Sequence, residues 1–559
     1  MGVINTKTIT YFGLSLLIFG TALTCTVFVP SSHWVYDFID RMEAKRFLPI
    51  VLAGTKPMTR AEIADFLTKV KTHQEQLSKV ERDQLDFLLF EFHEHTSHTS
   101  SHKTRVQKIK ESKWIKTWWP HFLYPQGRHL LEIDSGPVKI NIDPIFYRGR
   151  MFADDDTLDE RERVNTDTNG FLVWGTVGTH FGYYTDIRDT REWGTRDYPV
   201  GNTTGEGLGF VQGNGQQIYH DETVAYVLFS HKYLNVQFGK DSNVWGPGYR
   251  GQLFMSDYPT SYDQFKLQIV LKRLKFTYLL GWLKHYTPKY FKGDPTTKIL
   301  AAHRLEFAPF RVIDIGLHSA VIYASRSFEP AYLNPVMFFR SAEHYLGDQD
   351  NAAMGVDLEI KAIKNTKLYG ELFLDDLTTS RLGSGFYGNK YGVTAGLYYV
   401  DVLGLANLDF RIEYTALRPY TYAHKDTATA YAHFITPLGH PIGPNAVNLY
   451  AQLQYRLSRR LLFNLNYEMT NFGENTDDWN VGRDIFRPRN GFTDSETVRL
   501  LDGIRHDIRS LGLRGEYEFI RNGFFELAIN LLNTDISQQS DWNYPVVRSQ
   551  VEFGFRFNY

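Results

Sequence analysis

A chain of 559 residues with a formal charge of −2 has no basic excess for nucleic acid, and a mean hydropathy of −0.34 excludes a bundle of membrane-spanning helices. A β-barrel tolerates that polarity, because only every second strand residue meets lipid. A lone cysteine, Cys25, rules out an internal disulfide and a cysteine metal centre, whereas 15% aromatic residues call for an explanation.

The first feature along the chain is the apolar run ITYFGLSLLIFGTALTCTVFVP, behind Lys7. A basic start, an apolar stretch and the small Gly20, Thr21 and Ala22 predict a secretory signal peptide over residues 1–24, with a retained anchor as the alternative. Thr24 stands where a lipid-attachment site has Gly or Ala, which disfavours acylation of Cys25. No other stretch reaches the ~18 uninterrupted apolar residues of a spanning helix.

Residues 30–112 predict a helical module. In HWVYDFIDRMEAKRFLP, Trp34, Phe38, Ile39 and Met42 fall on one helical face and Pro49 closes the element. Thr59 with Glu62 forms a capping-box pattern ahead of Ile63, Phe66 and Leu67. LSKVERDQLDFLLFEFHEH supplies a third helix. Beyond it His93, His95, His98 and His102 crowd together. Ser97 occupies the place of the second histidine in a zinc HExxH pattern, so a frayed helix end explains the cluster better than a metal. Residues 113–136 read as a linker, including an apolar HLLEI that is either linker or a non-barrel strand.

From Val138 the hydrophobic period changes from 3.6 to 2, and residues 137–559 predict an all-β transmembrane barrel of about 18 antiparallel strands. The strands are expected to start near 138, 169, 181, 222, 232, 262, 273, 298, 311, 351, 365, 389, 405, 446, 459, 507, 523 and 547. Short turns, such as Arg521-Asn522-Gly523 with its hairpin-forming Asn-Gly, alternate with long loops at 190–221, 241–261, 284–297, 323–350, 376–388, 416–445, 470–506 and 533–546. Short periplasmic turns alternating with long external loops is the barrel pattern. In the last strand, VEFGFRFNY, Val551, Phe553, Phe555 and Phe557 are expected to face lipid, and Glu552, Gly554 and Arg556 the lumen. An even strand count puts the helical module on the same, periplasmic side as Tyr559.

Two loops combine aromatic planes with cations, the pairing that suits sugar rings carrying acidic groups. One offers Trp245, Tyr249 and Arg250 among Gly246, Pro247, Gly248 and Gly251; the other offers Tyr286, Lys289, Tyr290 and Lys292 beside Lys284 and Phe291. The first equally fits a loop folded inward to brace the barrel, the second an interfacial aromatic girdle. Asp154, Asp155 and Asp156 lack EF-hand spacing and read as a solvated acidic loop. Arg483, Arg487 and Arg489 suit either an anion patch or salt bridges to Asp477, Asp478 and Asp484. No nucleophile elbow, phosphate-cradling loop or paired metal-ligand motif appears, so neither enzyme activity nor a cofactor is expected.

Three stretches, HWVYDFIDRMEAKRFLP…TRAEIADFL, FGKDSNVWGPGYRGQLFMSDYP and YLNPVMFFRSAEHYLGDQDNAAMGVDLEI, together with the strand count, resemble the outer-membrane capsule-assembly (Wzi) family. The resemblance implies an 18-stranded barrel with a periplasmic helical bundle at its mouth, attaching capsular or exopolysaccharide to the cell surface. The expected partners are that polysaccharide, outer-membrane lipid and the barrel insertion machinery, which reads terminal aromatic strands. A porin is the alternative, and an outer-membrane hydrolase a third. The opening also resembles one S-layer homology repeat, in His33-Trp34 and Thr59-Arg60-Ala61-Glu62, although Ala44-Lys45-Arg46-Phe47 lacks the expected glycine turn.

Overall fold

A computed structural model describes residues 26–96, 127–155, 161–285, 296–536 and 546–558. The signal-peptide segment, His98, His102, Asp156 and Tyr559 lie outside the described residues.

Eighteen antiparallel strands close into a barrel. They are β1 Val138–Asp155, β2 Glu162–Val177, β3 Phe181–Gly194, β4 Gln217–His231, β5 Leu234–Asp241, β6 Tyr262–Leu271, β7 Leu274–His285, β8 Thr296–Phe310, β9 Ile313–Ala324, β10 Asn351–Ile360, β11 Thr366–Asp376, β12 Lys390–Tyr399, β13 Leu408–Leu417, β14 Ala446–Ser458, β15 Leu461–Glu474, β16 Ile504–Ile520, β17 Gly523–Ile536 and β18 Val546–Phe557. The last closes on the first, Phe557 opposite Phe146. The largest departures from the expected starts are β2 and β4. Their outer ends, ERVNTDTN and QIYHDE, carry polar residues on both faces, so the strands continue where the apolar alternation has stopped. HLLEI contributes a short strand, Leu131–Asp134, that pairs with the beginning of β1.

The barrel is inside out relative to a soluble protein. Leu513, Phe525, Leu527 and Phe553 point outward and are about half exposed, while Gln264, Lys266, Thr277, Arg304 and Glu413 are buried inside. In the final strand Arg556 bonds Glu516 and Glu526 in the lumen, on the face opposite Phe553. The 521–523 turn forms with Asn522 at φ +56°, the left-handed conformation that Asn tolerates.

Three helices, α1 Val35–Ala44, α2 Arg60–Lys71 and α3 Lys79–Glu91, bury Val35, Phe38, Ile39, Met42, Ile63, Leu67, Leu85 and Leu88 against one another. The Thr59–Glu62 capping box forms, as does a second, Ser78–Glu81, which stabilises the start of α3 in the same way. α1 stops before Pro49, because Arg46 already turns left-handed at φ +65°. Two further short helices, α4 Pro330–Leu333 and α5 Phe339–Tyr345, interrupt the β9–β10 loop, and a hairpin, Val200–Gly205 with Gly209–Asn214, rises from the β3–β4 loop.

The three-helix module closes the short-turn end of the barrel through buried ion pairs. Arg41 bonds Glu81 of its own module and Asp401 and Asp409 of the barrel. Asp40 meets Lys367 and Arg411, Glu43 meets Lys361 and Lys367, and Glu91 meets Arg521. Burial alone would push the Glu91 carboxyl up; Arg521 and Arg60 outweigh it and bring it down to about 2. Desolvated pairs of this kind hold only while both partners remain, and losing one costs ~3–5 kcal/mol.

Candidate functional site

The segment between α1 and α2 does not stay at the rim. Thr55 and Lys56 run up into the lumen and pair antiparallel with Trp245 and Val244, which descend from the long-loop end. The Gly54 carbonyl accepts from the Gly246 amide at 2.8 Å. Arg304 on β8, fully buried, donates to the Thr55 hydroxyl at 2.8 Å and to Asp357 on β10, and Glu306 accepts from both Gly54 and Thr55. The lumen is thus filled from both ends, and the two fillings meet as a two-stranded ladder.

Two wall carboxylates then shape the descending loop. Glu371 on β11 accepts from the amides of Gly248 and Leu253, both at 2.7 Å, and Glu413 on β13 accepts from Tyr249 and Arg250 at 2.7 and 2.9 Å. Gly246 sits at φ +129°, and a Cβ there would lie 2.4 Å from the Glu371 carboxylate, which Gly248 and Leu253 already hold. Only glycine fits.

Of the three candidates in this loop, the structure buries Trp245 completely. Its ring stacks on Phe254 with centroids 6.0 Å apart, inside a lumenal core with Met255, Leu279 and Tyr431. Trp245 therefore braces the loop and presents no face to solvent. Tyr249 and Arg250 are carried across the lumen towards β13–β15. The Tyr249 ring lies 5.9 Å from Tyr450, and the Arg411 guanidinium stands 4.1 Å over Tyr249 and 4.1 Å over Tyr398. Arg250, 42% exposed, pairs with Glu468 at 2.8 Å and lies 4.9 Å over Tyr450. Burial pushes the Tyr249 phenol above its ordinary value, and the nearby Asp37 carboxylate adds to the shift.

Behind Tyr249 is a water-sized cavity of about 10 Å3, lined by Asp37 of α1 and by Tyr398, Arg411, Gln452 and Gln454 of the wall. A second, of about 20 Å3, continues from Asp37 and Tyr398 towards Arg41 and Arg456. Flat aromatic faces, fixed cations, amides and carboxylates surround one space. Those residue types suit the apolar face and the hydroxyls of a sugar ring, but the enclosed space itself admits only water, so a ring meets them from the open side at Tyr249 and Arg250. The wall members were beyond sequence reasoning, although each sits at a lumen-facing position opposite an outward apolar neighbour such as Leu453.

Tyr286, Lys289, Tyr290 and Lys292 lie outside the described residues. Lys284, just before them, bonds Thr297. Arg483, Arg487 and Arg489 spend their donors on carbonyl oxygens rather than on carboxylate side chains: Arg483 ties its loop to Pro444 of the β13–β14 loop, while Arg487 and Arg489 brace their own loop through Thr476, Asp477, Asp494 and Ser495. Asp154 pairs with Arg161. Among the described residues, Glu43, Asp314 and Glu359 cluster at metal-ligand distances, but Lys361 and Lys367 already neutralise them.

A family model described as Capsule assembly protein Wzi matches residues 209–523. Among solved structures, the Escherichia coli outer-membrane protein Wzi, described as a carbohydrate-binding β-barrel involved in group 1 capsule assembly, aligns with a TM-score of 0.54 and 13% identity, over 94% of this chain and 98% of its own. OccD3 (OpdP) of Pseudomonas aeruginosa aligns with a TM-score of 0.40 and 13% identity, over 74% and 91%. OccAB1 of Acinetobacter baumannii aligns with a TM-score of 0.41 and 9% identity, over 75% and 96%. No curated protein matches the sequence.

Proposed function

Because the chain belongs to the Wzi capsule assembly family, we propose that this outer-membrane barrel binds capsular or exopolysaccharide and anchors it at the cell surface. The observation that carries the reading is the doubly filled lumen. A porin needs an open path, whereas here the Thr55–Lys56 and Val244–Trp245 segments pair across the interior and leave a lined surface instead. The role assigned is binding without covalent chemistry.

The glycan surface we propose centres on Tyr249 and Arg250, with Tyr450, Glu468 and Gln452 beside them. Trp245 serves them as a positioning residue. Tyr286, Lys289, Tyr290 and Lys292 join the surface on residue chemistry alone, as the next long loop along the wall. The helical module is assigned to the periplasm, a reading supported by its seat on the short-turn end. Docking there, rather than wall binding as in S-layer homology repeats, accounts for its buried charges. The aromatic face of β18 is proposed to engage the barrel insertion machinery during assembly.

The test is the double variant Tyr249→Ala, Arg250→Ala. Polysaccharide is expected to shift from cells to medium while heat-modifiable gel mobility shows a folded barrel. Full retention by the folded variant removes these residues from the surface, and large steady currents from the unmodified protein in planar bilayers would restore the porin.

A further inference from the structure

The β9–β10 loop does not cover the barrel mouth. It turns back down the outside of the wall. The register places Tyr278 and Leu280 of β7, Ile299 and Ala301 of β8, and Val321 and Tyr323 of β9 on the outward face, in line with Phe265 and the exposed Phe238. Yet all six are buried, between 0% and 5% exposed. What buries them is the underside of α4 and α5. The Tyr278 hydroxyl donates to the Tyr332 carbonyl at 2.9 Å, Tyr332 packs 5.3 Å from Tyr323, and Phe339 lies 4.5 Å from His303. Tyr278 is mid-strand, so the loop reaches well down the wall.

The opposite side of this loop carries a row of exposed apolar side chains. Phe328 is 59% exposed, Val336 80%, Phe338 55% and Tyr345 91%. Such a patch on a water-facing surface marks an interaction site. Its surroundings identify the partner. Leu317 of β9 and Leu358 of β10, lower on the same two strands, are exposed on the lipid-facing wall, so the crest continues that wall outward. Most charged groups of the loop pair within it: Arg326 with Asp350 and Glu329, Arg340 with Glu343, and Tyr332 donates to Asp350; His344 and Asp348 stay exposed at its edge, at headgroup level. Helical turns with internally paired charges and an apolar outer face are what an element lying in a membrane interface requires.

We propose that residues 326–348 form a lip inserted into the outer leaflet, with Val336, Phe338 and Tyr345 among the acyl chains and headgroups of the surrounding lipid. It widens the footprint of the barrel on the side where the lumen is filled. This assignment is independent of glycan binding.

The experiment uses the full chain with Cys25→Ser and one new cysteine, carrying an environment-sensitive fluorophore, in phosphatidylcholine vesicles. Val336→Cys and Tyr345→Cys are compared with Phe525→Cys on the lipid-facing wall and Phe492→Cys, fully exposed in the β15–β16 loop. The expected result is quenching by spin-labelled lipid as strong as at Phe525→Cys and several-fold above Phe492→Cys, with little quenching by aqueous iodide. Iodide quenching equal to that at Phe492→Cys overturns the lip. Protection from both quenchers also overturns it, because the crest would then face protein, a second copy being the first candidate.

Discussion

The two halves of the barrel wall treat the same kind of residue in opposite ways. Along β6–β13 the lumen-facing positions Gln264, Lys275, Thr277, Arg304, Glu306 and Glu413 are almost wholly buried, packed against the Thr55–Lys56 strand and the 244–255 loop. Along β14–β18 the equivalent positions Asn464 and Asn466 are only partly buried, Glu516 and Glu526 keep 16% and 11% of their side chains exposed, and the Arg514 side chain is 47% exposed. One half uses its polar interior as a core; the other leaves it wet. A lumenal charge therefore has no single meaning in this fold. Its worth depends on whether a plug has taken the water away.

The sharpest way to break the comparison is to delete one arginine from each half. Arg304→Ala takes the guanidinium from buried Asp357, leaving it only His318, and frees Thr55, so a loss of ~3–5 kcal/mol is expected. Arg514→Ala removes two exposed pairs, worth ~0–1 kcal/mol together. Thermal loss of heat-modifiable mobility in detergent measures both. Equal midpoints would mean that the two halves are not distinct.

A smaller effect is expected at Gly246. Ala at φ +129° meets both backbone strain of ~1–3 kcal/mol and the Glu371 carboxylate. The barrel wall is untouched, so it should remain folded while the 244–255 loop leaves its seat. Gly246→Ala should then become cleavable by added protease within that loop and carry larger ion currents in planar bilayers than the unmodified protein. An uncut, silent variant would show that the loop tolerates a side chain there.

Acid offers a third and gentler probe. Glu91 ionises near pH 2 in the folded protein, against ~4.3 unfolded. A depressed carboxylate contributes stability fully present above its unfolded value and lost as pH falls towards its folded value. The module should therefore hold at pH 5 and loosen progressively between about pH 4 and pH 2. Arg521→Gln removes the partner and should move that loosening to higher pH. Proteolytic release of the module against pH is the readout; identical profiles would place the acid sensitivity elsewhere.

How much of this was legible in the sequence follows the same division. Wall strands announce themselves because lipid demands an apolar residue at every second position, as in Leu461–Tyr467. The outer ends of β2 and β4 escape that rule because they rise beyond the apolar band. Cation–aromatic composition drew attention to Tyr249, Arg250 and Trp245 alike. Nothing in a local pattern separates the last from the first two, because the burial of Trp245 depends on Phe254, Met255 and strands distant in sequence. The partners of Tyr249 are equally non-local: Tyr398, Arg411 and Gln452 come from three different strands. That Thr55–Lys56 would enter the lumen has no sequence signal at all, since its ladder has only two residue pairs.

The smallest perturbation gives the most direct map. Single cysteines at Gln264 and at Asn466, in a Cys25→Ser background, both replace a polar lumenal residue of similar size. Neither should disturb assembly, because the lipid-facing positions are unchanged. Gln264 is 0% exposed, held between Asn243 and Gln237, so Gln264→Cys should resist a small water-soluble thiol reagent. Asn466 is only partly buried, so Asn466→Cys should label readily. Combining Gln264→Cys with Gly246→Ala then tests what excludes the water. If the descending loop is responsible, its release should raise labelling at Gln264→Cys towards the Asn466→Cys rate. Protection that survives loss of the loop would assign the dry half to the wall and to the Thr55–Lys56 strand alone.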